Sequence, residues 1–355
     1  VAVPAPFQPG GQSAILGAMH AEQKQLAAVG LFSGGLDSML ALKLVCDLGV
    51  RVTALHLVLP VQPRGGDELE YLERRALELG AAEFRAHDPG EAFLEIVRHP
   101  QYGYGKNANP CLDCRLLALR TAGELMEELG ADFVFTGEVL GERPMSQRGD
   151  ALRRLEKLAG LEGRLLRPLS ARLLPETEPE RAGLIEREQL LDLRGRGRKR
   201  QFELAAAWGI GDYPSPAGGC LLTTPGYADR IKDALEHDDL GRDDFELFRH
   251  GRLLRLPGGA KLSLGRNKAD NAALAAAARP GDLLLDTPYP APLGMLRRGD
   301  GEPATADVEL AARCLAGYSK CPADCAVRVR RVTAAGATDL RSEERSCRER
   351  VCHRV

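Results

Sequence analysis

Three stretches of this chain carry residues of the right type and spacing for chemistry. Ser33-Gly34-Gly35-Leu36-Asp37-Ser38 follows the apolar run Leu26 to Gly30 through Leu31 and Phe32, and it opens directly into the amphipathic segment Met39 to Val45. A buried strand that ends in glycines and enters a helix leaves backbone N–H groups unpaired at the positive end of a helix dipole, which is a seat for phosphate. Gly34 and Gly35 let the backbone approach a ligand with no Cβ in the way, Ser33 and Ser38 add hydroxyl donors, and Asp37 either caps the helix or faces a magnesium ion. The second stretch, Asn109-Pro110-Cys111-Leu112-Asp113-Cys114-Arg115, leads into a helical pattern from Leu116 to Leu129 that Gly130 ends. Two thiols one turn apart at a helix start share a face, and the dipole favours their thiolates, so low pKa values and metal ligation or sulfur chemistry are expected. The third is Pro214-Ser215-Pro216-Ala217-Gly218-Gly219-Cys220, where a cysteine just after two glycines suits a catalytic or ligating thiol.

Composition narrows the possibilities. At 355 residues and 44% hydrophobic the chain can bury a core for two or three domains. A net charge of −2 advertises no global attraction to nucleic acid, so any such surface is local. No apolar run approaches the ~20 residues of a membrane span, and residues 1–25 lack a signal pattern, so no membrane partner and a cytoplasmic location are expected. The nine cysteines fall in clusters, which in a reducing compartment points to metal or catalytic sulfur instead of disulfides.

The elements that must position these groups read as follows. Residues 1–25 are a loose lead-in rich in Pro, Gly and Gln. From residue 26, strands and helices alternate: Arg51–Val58 is β-branched and apolar, Leu69–Leu79 has helical spacing, Ala81–Ala86 reads as a strand and Ala92–Val97 as a helix. This alternation implies an α/β fold with a doubly wound parallel sheet, whose ligand sits outside the carboxyl ends of the strands. His56, ending the second strand, either approaches a bound nucleotide base or packs within the strand. Ala131–Thr136 is a further strand, whose end carries Gly137 and Glu138 at the ligand edge. Leu165–Leu169 reads as the last strand, followed by short helices over Arg187–Leu193 and Gln201–Trp208. Between those two lie Arg194, Arg196, Arg198, Lys199 and Arg200, five cations with interleaved glycines that suit a phosphate backbone or simply a solvated loop.

The character changes over residues 226–300. After a helix at Tyr227–Leu235, the segments Phe248–Leu256 and Ala260–Asn267 alternate apolar with basic residues around Pro257-Gly258-Gly259, as in a hairpin with one apolar and one basic face. This small α+β module resembles the RNA-binding module of some fibronectin-binding-type and tRNA-modifying proteins, with the turn Gly265-Arg266-Asn267 as the shared feature. Cys314, Cys321 and Cys325 lack the paired spacing of a zinc site and read either as zinc ligands or as structural or incidental cysteines, and residues 301–355 are otherwise unassigned. Arg341–Arg350 is too charged to bury a core, and 341–355 read as an artefactual tail.

The glycine loop has no Lys-Ser/Thr pair and no G-x-G-x-x-G, which excludes the mononucleotide and dinucleotide loops. Ser33-Gly34-Gly35-Leu36-Asp37-Ser38 resembles instead the S-G-G-x-D-S loop of the PP-loop ATP pyrophosphatase superfamily. With Cys111, Cys114 and Cys220 added, the chain over roughly residues 26–300 resembles the tRNA thiolation branch of that superfamily, the 2-thiouridine and 4-thiouridine synthases. That resemblance implies a Rossmann-like PP-loop fold, ATP and Mg2+ at Phe32 to Ser38 with His56 and Gly137 nearby, and tRNA as substrate. It also implies adenylation of a uridine carbonyl and its replacement by sulfur from sulfide or a persulfide-carrying protein. Asn109-Pro110-Cys111 and Gly219-Cys220 align with the two catalytic cysteine segments of the bacterial 2-thiouridylases, which commonly have one cysteine in the first segment where this chain has two. Two sulfur routes follow: a persulfide on Cys220 resolved by Cys111 or Cys114, or a 4Fe–4S cluster held by all three with one iron open. The rival readings are a PP-loop amidotransferase or ligase, which has no need of three cysteines, and sulfur insertion into a small molecule. A thioredoxin-like redox protein has no need of the ATP loop.

Overall fold

In the computed structural model the described residues are 25–62, 68–143, 146–213, 219–299, 301–322, 325–334 and 342–346. The first unit is the expected doubly wound sheet. Its elements are β1 (Ala27–Leu31), α1 (Leu36–Asp47), β2 (Arg51–Leu57), α2 (Glu68–Glu78), β3 (Glu83–His87), α3 (Glu91–Arg98), α4 (Cys111–Leu129), β4 (Phe133–Thr136), α5 (Gly149–Leu158) and β5 (Leu165–Leu166). The sheet order is β3-β2-β1-β4-β5, and every neighbouring pair is parallel. The order reverses between β1 and β4, so the loops leaving those two strands diverge and open a crevice at their carboxyl ends.

The inner strands β1, β2 and β4 are buried on both faces, as central parallel strands must be, and the edge strand β3 is partly exposed. One apolar cluster gathers α3, α4 and the inner face of the sheet, and a second gathers α1, α2 and the residues following β5. Gly30 lies against the Phe135 ring, where a Cβ would come within 2.3 Å of Cζ. Here the absence of a side chain lets two central strands pack. Gly130 ends α4 in the left-handed region at φ 58°, the usual glycine stop.

Beyond β5 come α6 (Glu178–Arg181) and α7 (Lys199–Ala207). The helix expected at Arg187–Leu193 is only a 3₁₀ turn, Arg187–Gln189. The cause is tertiary: the N–H groups of Leu191 and Leu193 donate to the carbonyls of Pro168 (2.9 Å) and Leu169 (2.8 Å), which draws this segment out straight.

The second unit opens with α8 (Pro225–Glu236) and α9 (Asp244–Leu247), followed by β6 (Arg252–Arg255), β7 (Lys261–Leu264), α10 (Lys268–Ala276), β8 (Leu283–Asp286), β9 (Gly294–Arg297), α11 (Thr305–Gly317), β10 (Ala326–Arg331) and β11 (Ser342–Ser346). Its sheet runs β11-β10-β8-β9-β7-β6 and is antiparallel throughout. The expected hairpin is β6–β7, with Arg255 opposite Lys261, and Asn267 caps α10 by accepting from the N–H of Asp270 at 2.9 Å. Helix α11 and β10 complete the core of this unit.

Part of the basic face of the hairpin, Arg255 and Lys261, is turned inward. Arg255 pairs with Asp233 and Asp239 (both 2.6 Å), and Lys261, 1% exposed, with Asp244 (2.7 Å). Arg297, also buried, pairs with Asp282 at 2.7 Å and with Asp244 at 3.5 Å. The cations consumed here join α8 and α9 to the sheet. One cysteine expectation is also corrected: Cys321 and Cys325, both buried in this core with Cα atoms 5.9 Å apart, form a disulfide. Among the described residues no helix is long and apolar enough to cross a membrane.

Removing one partner of a buried ion pair strands the other. Arg297→Met, which strands Asp282 and leaves Asp244 with Lys261 alone, is expected to destabilise the protein by about 3–5 kcal/mol, read as a lowered midpoint in chemical denaturation; an unchanged midpoint refutes the pairing.

Candidate active site

The glycine loop is built on β1. The N–H of Phe32 donates to the Leu55 carbonyl (2.8 Å), and its own carbonyl accepts from His56 Nδ1 (2.9 Å). His56 is 3% exposed and stacks on Phe84, and burial pushes its pKa down. It is the packed strand histidine of the two readings, holding the start of the loop in place. Gly34 takes φ +73°, and a Cβ there would strike Leu72 Cδ2 at 2.2 Å. Gly35 is the N-cap of α1 and caps without a side chain, so the first-turn N–H groups keep no side-chain partner from it. Ser38 Oγ donates to the Gly35 carbonyl at 2.8 Å, with Ser33 Oγ 3.3 Å away.

Gly137 closes the other side of the crevice. A Cβ on it would come within 2.6 Å of the Asp37 backbone and 2.7 Å of the Ser38 nitrogen, so the loop after β4 touches the loop after β1 with nothing between. Asp37 does not cap the helix. Its Oδ2 accepts from Arg198 Nη2 at 2.9 Å while its Oδ1 is buried without a hydrogen-bond partner. Burial raises the Asp37 pKa, and the guanidiniums of Arg198 and Arg143 counter it.

The three cysteines come from two segments that the structure joins. Cys111 and Cys114 sit in the first turn of α4, whose approach is held by Asp113 accepting from the N–H groups of Gln101 (2.9 Å) and Tyr102 (3.2 Å). The Cys220 turn is tied to that approach: Ala108 N–H donates to the Leu222 carbonyl (3.2 Å) and Asn107 Nδ2 to the Thr223 carbonyl (2.7 Å). All three thiols are free and half-buried. The low pKa expected at the helix start is not found at Cys114. Burial pushes Cys114 up to about 12, with repulsion from Cys220 and Cys111 adding to it, and pushes Cys220 up to about 11. Loss of hydration outweighs the helix dipole.

A buried charge relay connects the cysteines to the crevice. Arg115, the residue after Cys114, pairs with Glu138 at 3.0 Å, and Arg167 reaches the other oxygen of Glu138 at 3.1 Å and Glu156 at 3.0 Å. Glu138 is 2% exposed, yet its pKa is lowered: burial pushes it up, and Arg115 and Arg167 more than offset this. The positive charge of Arg143 works against the burial that raises the pKa values of Asp37, Glu142 and Cys220. Arg115, Glu142, Arg143 and Arg167 were given no role on sequence grounds. The available signal was an arginine inside the apolar strand segment Leu165–Leu169, a residue that requires a buried partner.

The five-cation loop divides. Arg194, Arg196 and Lys199 are exposed, and Arg200 pairs with Asp192 at 2.8 Å. Arg198 is turned away from solvent onto Asp37, so it is not a surface cation for a phosphate backbone. Arg266 is half-exposed and pairs with Asp270 at 2.7 Å. Among the described residues no group of three or more His, Cys, Asp or Glu side chains is arranged to hold a metal ion. Ser215 and its neighbours, residues 214–218, lie outside the described residues.

The chain is 31% identical over 120 residues to the tRNA-specific 2-thiouridylase MnmA of Oleidesulfovibrio alaskensis, covering 32% of this chain and 33% of that protein. It is 35% identical over 133 residues to the MnmA of Nitratidesulfovibrio vulgaris, covering 34% and 37%. Part of this chain is similar to the tRNA 2-thiouridylases. The match spans about a third of the length of these curated relatives. Residues 251–348 match the family model of the NFACT protein RNA binding domain. A solved 4-thiouridine synthetase–RNA complex with bound ATP is 21% identical, with 59% of this chain and 50% of that chain covered at a TM-score of 0.36.

Because the folded state holds Cys114 and Cys220 as neutral thiols, alkylation by iodoacetamide at pH 8 is expected to be at least about tenfold slower at both than in denatured protein. In the unfolded chain these thiols ionise first, so their contribution to stability is present below about pH 8.5 and is lost as pH rises above it. Equal alkylation rates in folded and unfolded protein would exclude the burial.

Proposed function

We propose that this protein is an ATP-dependent tRNA sulfurtransferase, acting on a uridine carbonyl. The observation that carries the reading is the gathering of Cys111, Cys114 and Cys220 beside the crevice between β1 and β4, one buried ion pair from the loop that contacts Ser33–Ser38. The similarity to 2-thiouridylases and the RNA-binding type of the second unit support tRNA as the substrate. An amidotransferase or ligase would use the glycine loop but leave the cysteines unemployed.

The chemistry follows from the groups present. ATP lies with its phosphates against the first turn of α1, and the uridine oxygen attacks the α-phosphorus. Pyrophosphate leaves, its charge met by the α1 N–H groups and the Ser33 and Ser38 hydroxyls. Sulfur then adds to the activated carbon, and AMP departs with the original oxygen. Asp37, whose buried Oδ1 lacks a hydrogen-bond partner, is the residue that would hold a magnesium ion, which would neutralise phosphate charge.

For the sulfur, three free, half-buried thiols are the type of donor set that would hold an iron–sulfur cluster. Cys111, Cys114 and Cys220 fit that group. Bound there, a 4Fe–4S cluster supplies one iron position for an incoming sulfide. Arg115 and Glu138 hold the helix start that carries two of the ligands, and the bonds from Asn107 and Ala108 hold the third. Exposed Arg194, Arg196 and Lys199, with the module at 251–348, are the surfaces offered to tRNA.

Anaerobic purification with iron and sulfide analysis, coupled to ATP-dependent thiolation of tRNA by added sulfide, tests this. The expected result is about four irons per chain, lost in Cys111→Ala, Cys114→Ala and Cys220→Ala together with thiolation, while ATP binding remains. An iron-free protein that still thiolates tRNA removes the cluster and leaves a Cys220 persulfide resolved by Cys111 or Cys114. No sulfur in tRNA under either condition overturns the sulfurtransferase reading.

A further inference from the structure

We infer that Arg198 binds the polyphosphate of the nucleotide, exchanging its ion pair with Asp37 for the phosphate chain. This rests on the Ser33–Ser38 loop being an ATP site. Sequence pattern groups Arg198 with the solvent-facing cations around it, and the structure separates it from them. It stands immediately before α7, whose Leu204 and Ala205 are packed in the same apolar cluster as Met39 to Val45 of α1. The helix that carries the arginine is thereby fixed against the helix that carries the phosphate seat. Its guanidinium lies 2.9 Å from Asp37 Oδ2, two residues beyond the N-cap Gly35, with Glu142 Oε1 at 3.8 Å from Nε and the Phe202 ring 5.9 Å from Cζ.

The pair is incompletely satisfied. An arginine and a carboxylate can form two parallel hydrogen bonds, but here Arg198 makes one to Asp37, while Arg198 Nε and Asp37 Oδ1 are both buried with no hydrogen-bond partner. A planar fork with donors left over, held at the mouth of an N–H-lined loop, matches the many acceptor oxygens of a polyphosphate better than a single carboxylate. The charge balance agrees. Asp37 and Glu142 would repel an arriving polyphosphate, and Arg198 is the cation in direct contact with one and beside the other. Once the phosphates take the guanidinium, Asp37 is released.

Equilibrium binding of ATP, AMP and tRNA to the full chain, with Arg198→Gln and Arg198→Lys, tests the assignment. Arg198→Gln is expected to weaken ATP by about 10- to 100-fold, to leave AMP and tRNA affinity unchanged, and to be partly rescued by Arg198→Lys. Equal loss of AMP and ATP, accompanied by a lowered unfolding temperature, assigns Arg198 a structural role and overturns the inference. Loss of tRNA binding with ATP unchanged overturns it in favour of an RNA contact. If the parent binds ATP and Arg198→Gln binds it equally well, this inference alone fails; a parent that binds no ATP removes the ATP site and the inference with it.

Discussion

The backbone of Asp37 and Ser38 lies so close to Gly137 that no side chain fits between them, and the arrangement of the site follows from this contact. It exists because β1 and β4 are neighbours whose connections depart in opposite directions, one into α1 and the other into the segment that carries Glu138, Glu142 and Arg143. Parallel strands deliver their loops to one edge, so two glycine-bearing strand ends meet there. A methyl group at Gly137 would force the β4 loop and the phosphate seat apart. Everything attached to that loop, including Glu138, Glu142 and Arg143, would move with it.

Glu138 carries the contact on to sulfur. A carboxylate buried in this way is costly unless it is paired, and Arg115 and Arg167 supply two cations from separate elements. Breaking either pair would leave charge stranded in the sheet edge, so the start of α4 cannot drift relative to β4. This couples Cys111 and Cys114 to the crevice, with Cys114 held as a neutral thiol. Thiols kept neutral by burial are stable passengers in the folded state, and they become reactive when a metal or another cation compensates the lost hydration.

The second unit is more than an appended module. Tyr227, Ala228 and Ile231 of α8 belong to the same apolar cluster as Phe93 and Leu119, and Arg249 donates to the carbonyls of Pro60 (2.6 Å) and Gln62. The Cys220 turn lies directly before α8, so the packing that seats α8 also sets the third thiol. The hairpin's inward cations serve this docking. Arg252, exposed over the Tyr318 ring at 5.0 Å, and half-exposed Arg328 remain at the surface of the unit.

Local patterns were legible wherever one segment suffices. The strand–glycine loop–helix at 27–47, the helix start at Cys111 and the hairpin about Pro257–Gly259 are all dictated by residues within a turn or two of each other. Where long-range bonds compete, pattern misled: Arg187–Leu193 has helical spacing but is drawn straight by Pro168 and Leu169, and alternation in the hairpin marked a basic face that buried acids claim. Thiol ionisation was misjudged for the same reason, since a helix dipole can be read locally and burial cannot. The sequence by itself determined the element order, the phosphate-type loop and which cysteines are candidates, because strand and helix periods and glycine turns are short-range. Only the tertiary structure decided that Arg198 faces Asp37 across 161 residues, that Glu138 is held by two arginines and that Cys220 joins Cys111 and Cys114. Those outcomes are set by desolvation and charge pairing between elements distant in the chain.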